Sequence, residues 1–333
     1  MNKALAAAAL GLGLLALAAP ARAEDEAAIA LPAVSLNFTP NYIADAMGFW
    51  KEQGLHVKIT QLGGIQAMNA MLSGSVEFSN SSLATVIRAN VRGQKVLAIG
   101  TALEGIAQEL VLSTAAAKAA GVTETSTIQQ KAAALKGKKI TIDSPNTLPH
   151  ALVCYVARKG GIDPERDIVF ASMQPEAAVA ALKGGSVDGI AGGMPQTVQA
   201  VRDGLGILLA SGVRGDFPEL LPVSNNVIVT RPETCEKKAN LCERLMAGYA
   251  KAAVYMHEHP KESVEILKKR MAGMDEAVLA ESFQRLLKWT PNSTKINPAV
   301  FANSQDFMVA GGMLKEDEKL KSFDDLFTNK YAK

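Results

Sequence analysis

The chain has 333 residues, of which 48% are hydrophobic and 20% charged, with 27 Gly, 14 Pro and 35 Lys and Arg against 33 Asp and Glu. This composition excludes collagen-like, coiled-coil and intrinsically disordered classes, and the near-neutral charge argues against a nucleic-acid or anionic-membrane binder. At roughly 150 residues per domain, the length points to two domains.

In chain order, residues 1–23 come first. Lys3 gives a positive start, residues 4–19 are apolar, and Ala21-Arg22-Ala23 is a small-residue cleavage site before Glu24. This is expected to be a signal peptide, and the apolar run stops at Pro20, short of the ~20 residues that span a membrane. Removing it takes away Lys3 and Arg22 and no acid, which leaves 33 cations against 33 acids. No Cys follows the expected cut, so a freely soluble periplasmic protein without a lipid anchor is expected. The Gly11-Leu12-Gly13 start of a dinucleotide-like pattern lies inside this leader and is discarded with it.

Strand-like runs are expected at 34–38, 57–61, 76–79, 96–99, 110–112, 139–142, 168–171, 187–191, 206–209 and 227–230, with helices in most intervals and a largely helical remainder. Strands alternating with helices indicate an α/β chain with mostly parallel sheets flanked by helices. An internal echo divides it. Thr39-Pro40-Asn41 returns as Ser144-Pro145-Asn146, Gly54-Leu55 as Gly161-Ile162, and Gly74-Ser75-Val76-Glu77 as Gly185-Ser186-Val187-Asp188. Three matches in order, at offsets of 105, 107 and 111, indicate two similar lobes.

In an open parallel sheet, ligands sit at the carboxyl ends of the strands. The candidate binding residues are therefore Asn37, Thr39, Asn41, Tyr42, Asn80, Ser81 and Ser82 from the first lobe, with Ser144, Asn146, Thr147, Met194, Gln196 and Asn225 from the rest. Thr39 and Ser144 read as helix N-caps ahead of Pro40 and Pro145, so both helix starts would offer unpaired N–H groups to a guest, although Pro149 offers a second start after Thr147. Tyr42 is expected to stack on a planar guest, and Trp50 to pack in the core.

Among the cysteines, Cys235 and Cys242 are close enough in sequence for a local bridge in an oxidising compartment, whereas Cys154 sits in an apolar run as a buried small residue. No metal spacing, nucleophile elbow or phosphate loop appears, so no metal, no cofactor and no enzyme activity are expected. His257-Glu258-His259 precedes Pro260 at a helix end and reads as a solvated terminus. His150 is the histidine nearest the expected cleft.

The segment Phe38-Thr39-Pro40-Asn41-Tyr42-Ile43-Ala44, followed by Gly48-Phe49-Trp50, Gly54-Leu55-His56-Val57, residues 72–78, residues 135–140, residues 182–188 and Met194-Pro195, resembles the solute-binding proteins of ABC importers. The nearest group handles nitrate, sulfonates, taurine and the pyrimidine precursor of thiamine. The resemblance implies a two-lobed periplasmic binding protein of type II with a ligand cleft between the lobes. Lobe one would comprise 24–111 and 228–333, lobe two 112–227, with crossings near Leu112 and Val227. It also implies a small-molecule ligand, an ABC permease as partner, and a monomer. Met194 stands where members often have an acid before Pro195, which disfavours an amine-bearing guest. Two other functions are kept open, a ligand-sensing periplasmic subunit for a membrane receptor and a periplasmic hydrolase or transferase.

Overall fold

A computed structural model describes residues 24–63 and 65–333. The expected signal peptide lies outside the described residues. Ten strands are described: β1 (Asp25–Leu31), β2 (Leu55–Gln61), β3 (Phe78–Ser81), β4 (Leu97–Glu104), β5 (Glu109–Ser113), β6 (Lys139–Ile142), β7 (Val169–Ser172), β8 (Gly189–Gly192), β9 (Gly206–Ser211) and β10 (Ser224–Thr230). They form two sheets, β2-β1-β3-β10-β4 and β7-β6-β8-β5-β9. The orders correspond position by position, so the internal echo is also a topological one.

In each sheet four strands run one way and the fifth runs against them, β10 in the first sheet and β5 in the second. The sheets are thus mixed. The reversed strand is in each case the one that the chain enters from the other lobe. A chain leaving β4 towards the second lobe arrives at the near end of β5 and must run away from the junction, and the return from β9 into β10 repeats this. β10 lies between β3 and β4 inside its sheet, and its whole span is buried, which suits the apolar run Val227, Ile228, Val229.

The passages between sheets lie at 105–108 and 212–223, between the ends of named strands. The expected crossings at Leu112 and Val227 therefore fall inside β5 and β10. No α-helix separates β4 from β5 or β9 from β10, so nothing local marked which sheet the second strand of each pair joins. The expected strand at 34–38 is likewise displaced: β1 ends at Leu31, and Leu36–Phe38 form a 3-10 turn leading into the helix Thr39–Ala46.

The first lobe is completed by helices after β10, chiefly Ala239–Glu258, Pro260–Arg270 and Glu276–Leu287. Trp50 packs here as expected, its indole N–H donating to the Leu245 carbonyl at 3.1 Å and its ring edge-on to Tyr249. Gly248 permits this, because a Cβ there would meet the indole at 2.1 Å. A disulfide joins Cys235 to Cys242 across the break between helices Pro232–Lys237 and Ala239–Glu258. The helix Ala299–Ala310 packs against Leu83–Val91 of the first lobe and Leu148–Lys159 of the second. Among the described residues no helix is long and apolar enough to cross a membrane.

Candidate ligand crevice between the lobes

The two passages are hydrogen-bonded to each other, Gly105 N–H to the Val223 carbonyl at 2.9 Å and Gly212 N–H to that of Gln108 at 3.0 Å. Trp289 covers them: its indole N–H donates to the Val213 carbonyl at 2.9 Å, and its ring lies where a Cβ on Gly105, with φ of 71°, would stand. Above this junction the lobes face each other around a void of about 10 Å³. That is the room of one water, so any larger guest requires the lobes to part.

The void's polar walls come from the passages and their flanks. Asn225 Nδ2 donates to Gln108 Oε1 at 3.1 Å, and Ser224 Oγ shares a hydrogen bond with Thr101 Oγ1 at 3.0 Å. Leu148, Phe307 and Ala84 supply apolar surface from three different helices. Ser304, from the helix Ala299–Ala310, also lines the void; its Oγ is buried and has no hydrogen-bond partner. A buried hydroxyl without a partner costs about 1–3 kcal/mol and is conspicuous in a native fold.

Of the candidate residues, Asn225 alone lines this void. Asn80 and Asn41 lie behind it in a buried polar chain: Asn80 Nδ2 donates to Asn226 Oδ1 at 2.7 Å, Tyr249 donates its hydroxyl to Asn41 Oδ1, and that hydroxyl stands 2.9 Å from Asn80 Oδ1. Burial drives the Tyr249 phenol well above its ordinary value, so it remains a donor despite the opposing bond from Asn80. Ser81 ends β3, and Ser82 caps the helix Leu83–Val91 by accepting the Thr85 N–H at 3.2 Å.

Thr39 is the first residue of its helix rather than its cap, and its hydroxyl donates to the Leu36 carbonyl at 2.6 Å. Asn37 is half-buried in the preceding turn. Tyr42 is not open to a guest. It is 1% exposed, its hydroxyl accepts the Ser35 N–H at 3.4 Å, and Arg270 lies over its ring. The helix turns this ring inward with Ile43, which the sequence position just after a strand-end loop concealed.

In the second lobe the helix starts at Leu148 with Pro149 in its first turn, so the Ser144-Pro145 start is not used. Ser144 and Thr147 instead close the loop, the Thr147 hydroxyl lying 2.7 Å from the Ser144 carbonyl and also near Asp143. Asn146 holds a left-handed φ of 61°. Arg88 reaches across from the first lobe, and its Nη1 donates to the Asn146 carbonyl at 2.7 Å. Burial, with Arg92 nearby, lowers the proton affinity of Arg88, although a guanidinium stays charged. The Asn146 N–H donates to His150 Nδ1 at 3.2 Å, which requires an unprotonated Nδ1; burial lowers the imidazole's pKa and agrees.

Met194 is buried before the cis peptide to Pro195 and, with Val198, joins the apolar cluster of the first lobe, so it packs between lobes. Gln196 is half-buried as the first residue of the helix Gln196–Arg202. Beside it an ion chain links the lobes. Glu109, 1% exposed, accepts from Ser211 and Thr197 and lies 3.5 Å from Arg285; Arg285 pairs with Glu281, and Glu281 with Arg202 at 2.9 Å. Sequence reasoning missed Gln108, Ser224, Ser304 and Phe307. A polar residue following Gly105 between two strands was a usable signal for Gln108; Ser304 and Phe307, inside a C-terminal helix, carried none.

Residues 35–263 match the family described as NMT1/THI5 like. The nitrate import ATP-binding protein NrtC of Synechococcus elongatus is 27% identical over 217 residues, 62% of this chain and 32% of that protein, so the chain spans about a third of the length of this curated relative. Among solved structures, the periplasmic aliphatic sulphonate binding protein SsuA of Escherichia coli superposes with a TM-score of 0.70 at 19% identity, covering 92% of this chain and 99% of that one. The periplasmic nitrate-binding protein NrtA of Synechocystis PCC 6803 gives 0.69 at 15% identity, covering 91% and 86%. The fold is therefore that of the periplasmic binding proteins.

Proposed function

This chain belongs to the NMT1/THI5-like family, and we propose that within it the protein is the solute-binding component of an ABC importer, exported to the periplasm, closing two lobes on a small organic molecule and delivering it to a permease. The observation that carries this reading is the unpartnered Ser304 hydroxyl in an interlobe void walled by Asn225, Gln108 and Ser224. The proteins whose structures it resembles are named for binding, and we read this chain as a binder and not a catalyst.

The walls of the void are neutral amides, hydroxyls and apolar side chains. Each neutral hydrogen bond contributes about 0.5–1.5 kcal/mol, while micromolar affinity needs roughly 8 kcal/mol. The guest accordingly carries apolar surface for Leu148 and Phe307 as well as a few hydrogen-bonding atoms. Asn225, Ser304, Asn80 and Asn146 are the residues we assign to it or to the loops that hold it. Contacts from the second lobe form only on closure, which couples occupancy to shape.

The test is a thermal-shift screen over sulfonates, carboxylates, nitrate and pyrimidines, followed by calorimetry on the best ligand. Asn225→Ala and Ser304→Ala are each expected to weaken its binding severalfold while the ligand-free midpoint of Ser304→Ala holds or rises, since an unpaired buried hydroxyl is lost. Full affinity in both variants would move the site elsewhere.

A further inference from the structure

On the second lobe, away from the crevice, lies a groove of about 280 Å³ beside the return passage. Lys131, from the helix Ile128–Ala133, extends into it. Lys131 is only 8% exposed, and its ammonium makes no hydrogen bond or ion pair within the described residues. Arg214 engages the two carboxylates nearby but leaves Glu124 Oε1 without a hydrogen bond among the described residues. Arg214 donates Nε to Asp216 Oδ1 at 2.8 Å, Nη2 to Asp216 Oδ2 at 2.7 Å, and Nη1 to Glu124 Oε2 at 2.8 Å. Asp216 Oδ2 also accepts the Ser211 N–H at 3.0 Å. Burial lowers the proton affinity of Lys131, with Asp216 opposing this and Arg214 adding to it.

The Lys131 stem is buried while its ammonium opens on the groove, and none of its three protons is engaged by an acceptor among the described residues, so they are available to an occupant of the groove. The neighbouring trio of Arg214, Glu124 and Asp216 sums to one negative charge, beside the one positive charge of Lys131. Ile128 and Phe217 add an apolar wall. A free anion would satisfy Lys131 but face the trio's excess charge; a cation would do the reverse. A small zwitterion meets both.

We propose that this groove is a second ligand site, one for a free α-amino acid whose carboxylate is held by Lys131, whose ammonium faces Glu124 and Asp216, and whose side chain lies on Ile128 and Phe217. Asp216 and Phe217 belong to the return passage, so an occupant bears on the segment that joins the lobes. The site does not depend on what the crevice binds.

The experiment titrates the full chain with glycine, L-valine and L-phenylalanine, following thermal midpoint and calorimetry, and with isovalerate and isobutylamine as valine lacking its ammonium or its carboxylate. At least one amino acid is expected to bind, with each half-ligand about tenfold weaker or worse. Lys131→Met should abolish the response with an unchanged or higher ligand-free midpoint, and Glu124→Gln, at a side chain 48% exposed and so harmless to folding, should weaken it severalfold. The Glu124 variant decides the matter should Lys131→Met fail to fold. Binding by none of the three amino acids, isovalerate binding as well as valine, or amino-acid binding indifferent to both substitutions would each overturn the proposal.

Discussion

Glu77 and Asp188, the acids that close the repeated Gly-Ser-Val-acid motif, have the same partner in the two lobes. Glu77 Oε2 accepts the Ala28 N–H of β1 at 3.0 Å, and Asp188 Oδ2 accepts the Lys139 N–H of β6 at 2.8 Å. In each sheet this N–H lies one residue before the pairing with the following strand begins, Ile29 to Phe78 and Ile140 to Gly189. The motif is therefore a device for an orphaned strand donor, and its repetition reflects the repeated sheet rather than a repeated ligand contact. Ala28 is half-buried whereas Lys139 is exposed, so water replaces the acid more easily in the second lobe. Glu77→Ala is expected to cost about 1–2 kcal/mol and Asp188→Ala less, read as shifts in urea midpoint. Equal losses would show that solvent access does not set the difference.

At the scale of elements, the loop from Asp143 to Thr147 depends on an imidazole. His150 accepts the Asn146 N–H only while Nδ1 is unprotonated, and Asn146 in turn presents its carbonyl to Arg88 of the other lobe. Burial lowers the folded pKa, against a smaller opposing pull from Glu165. A lowered histidine pKa means that the fold prefers the neutral ring, so this contribution is complete above about pH 6.5, the unperturbed value, and is lost as pH falls below it. Ligand affinity is expected to weaken as the pH falls below about 6.5, and His150→Gln to flatten that part of the profile. A profile unchanged by the substitution would assign the acid sensitivity to other groups.

For the molecule as a whole, function rests on the balance between parted and closed lobes. The present arrangement is held by Arg88 to Asn146, by the chain Glu109, Arg285, Glu281 and Arg202, and by Met194 and Val198 packed against the first lobe. Burial would raise the Glu281 carboxyl, but Arg202 and Arg285 outweigh this and hold it below the usual range. Among the described residues, Arg285→Ala removes the charged partner that the facing lobe offers to the buried Glu109. It is expected to enlarge the radius of gyration of the ligand-free protein in solution scattering and to weaken the crevice ligand about fivefold, the equivalent of about 1 kcal/mol of interlobe attraction. Identical scattering and affinity would mean that the remaining interlobe contacts set the closed form without Arg285.

From the sequence came the α/β class, the approximate positions of nine of the ten described strands and the doubling into two similar units. These are local properties: strand and helix periodicity, glycine punctuation and order along the chain are written within a few residues of where they act. Tertiary structure alone decided which side chains face the crevice. Tyr42 follows a strand-end loop but turns into the core, while Ser304 and Phe307 reach the void because a late helix returns between the lobes. The direction of a side chain depends on which surface its helix is pressed against, and that surface is assembled from segments far apart in the chain.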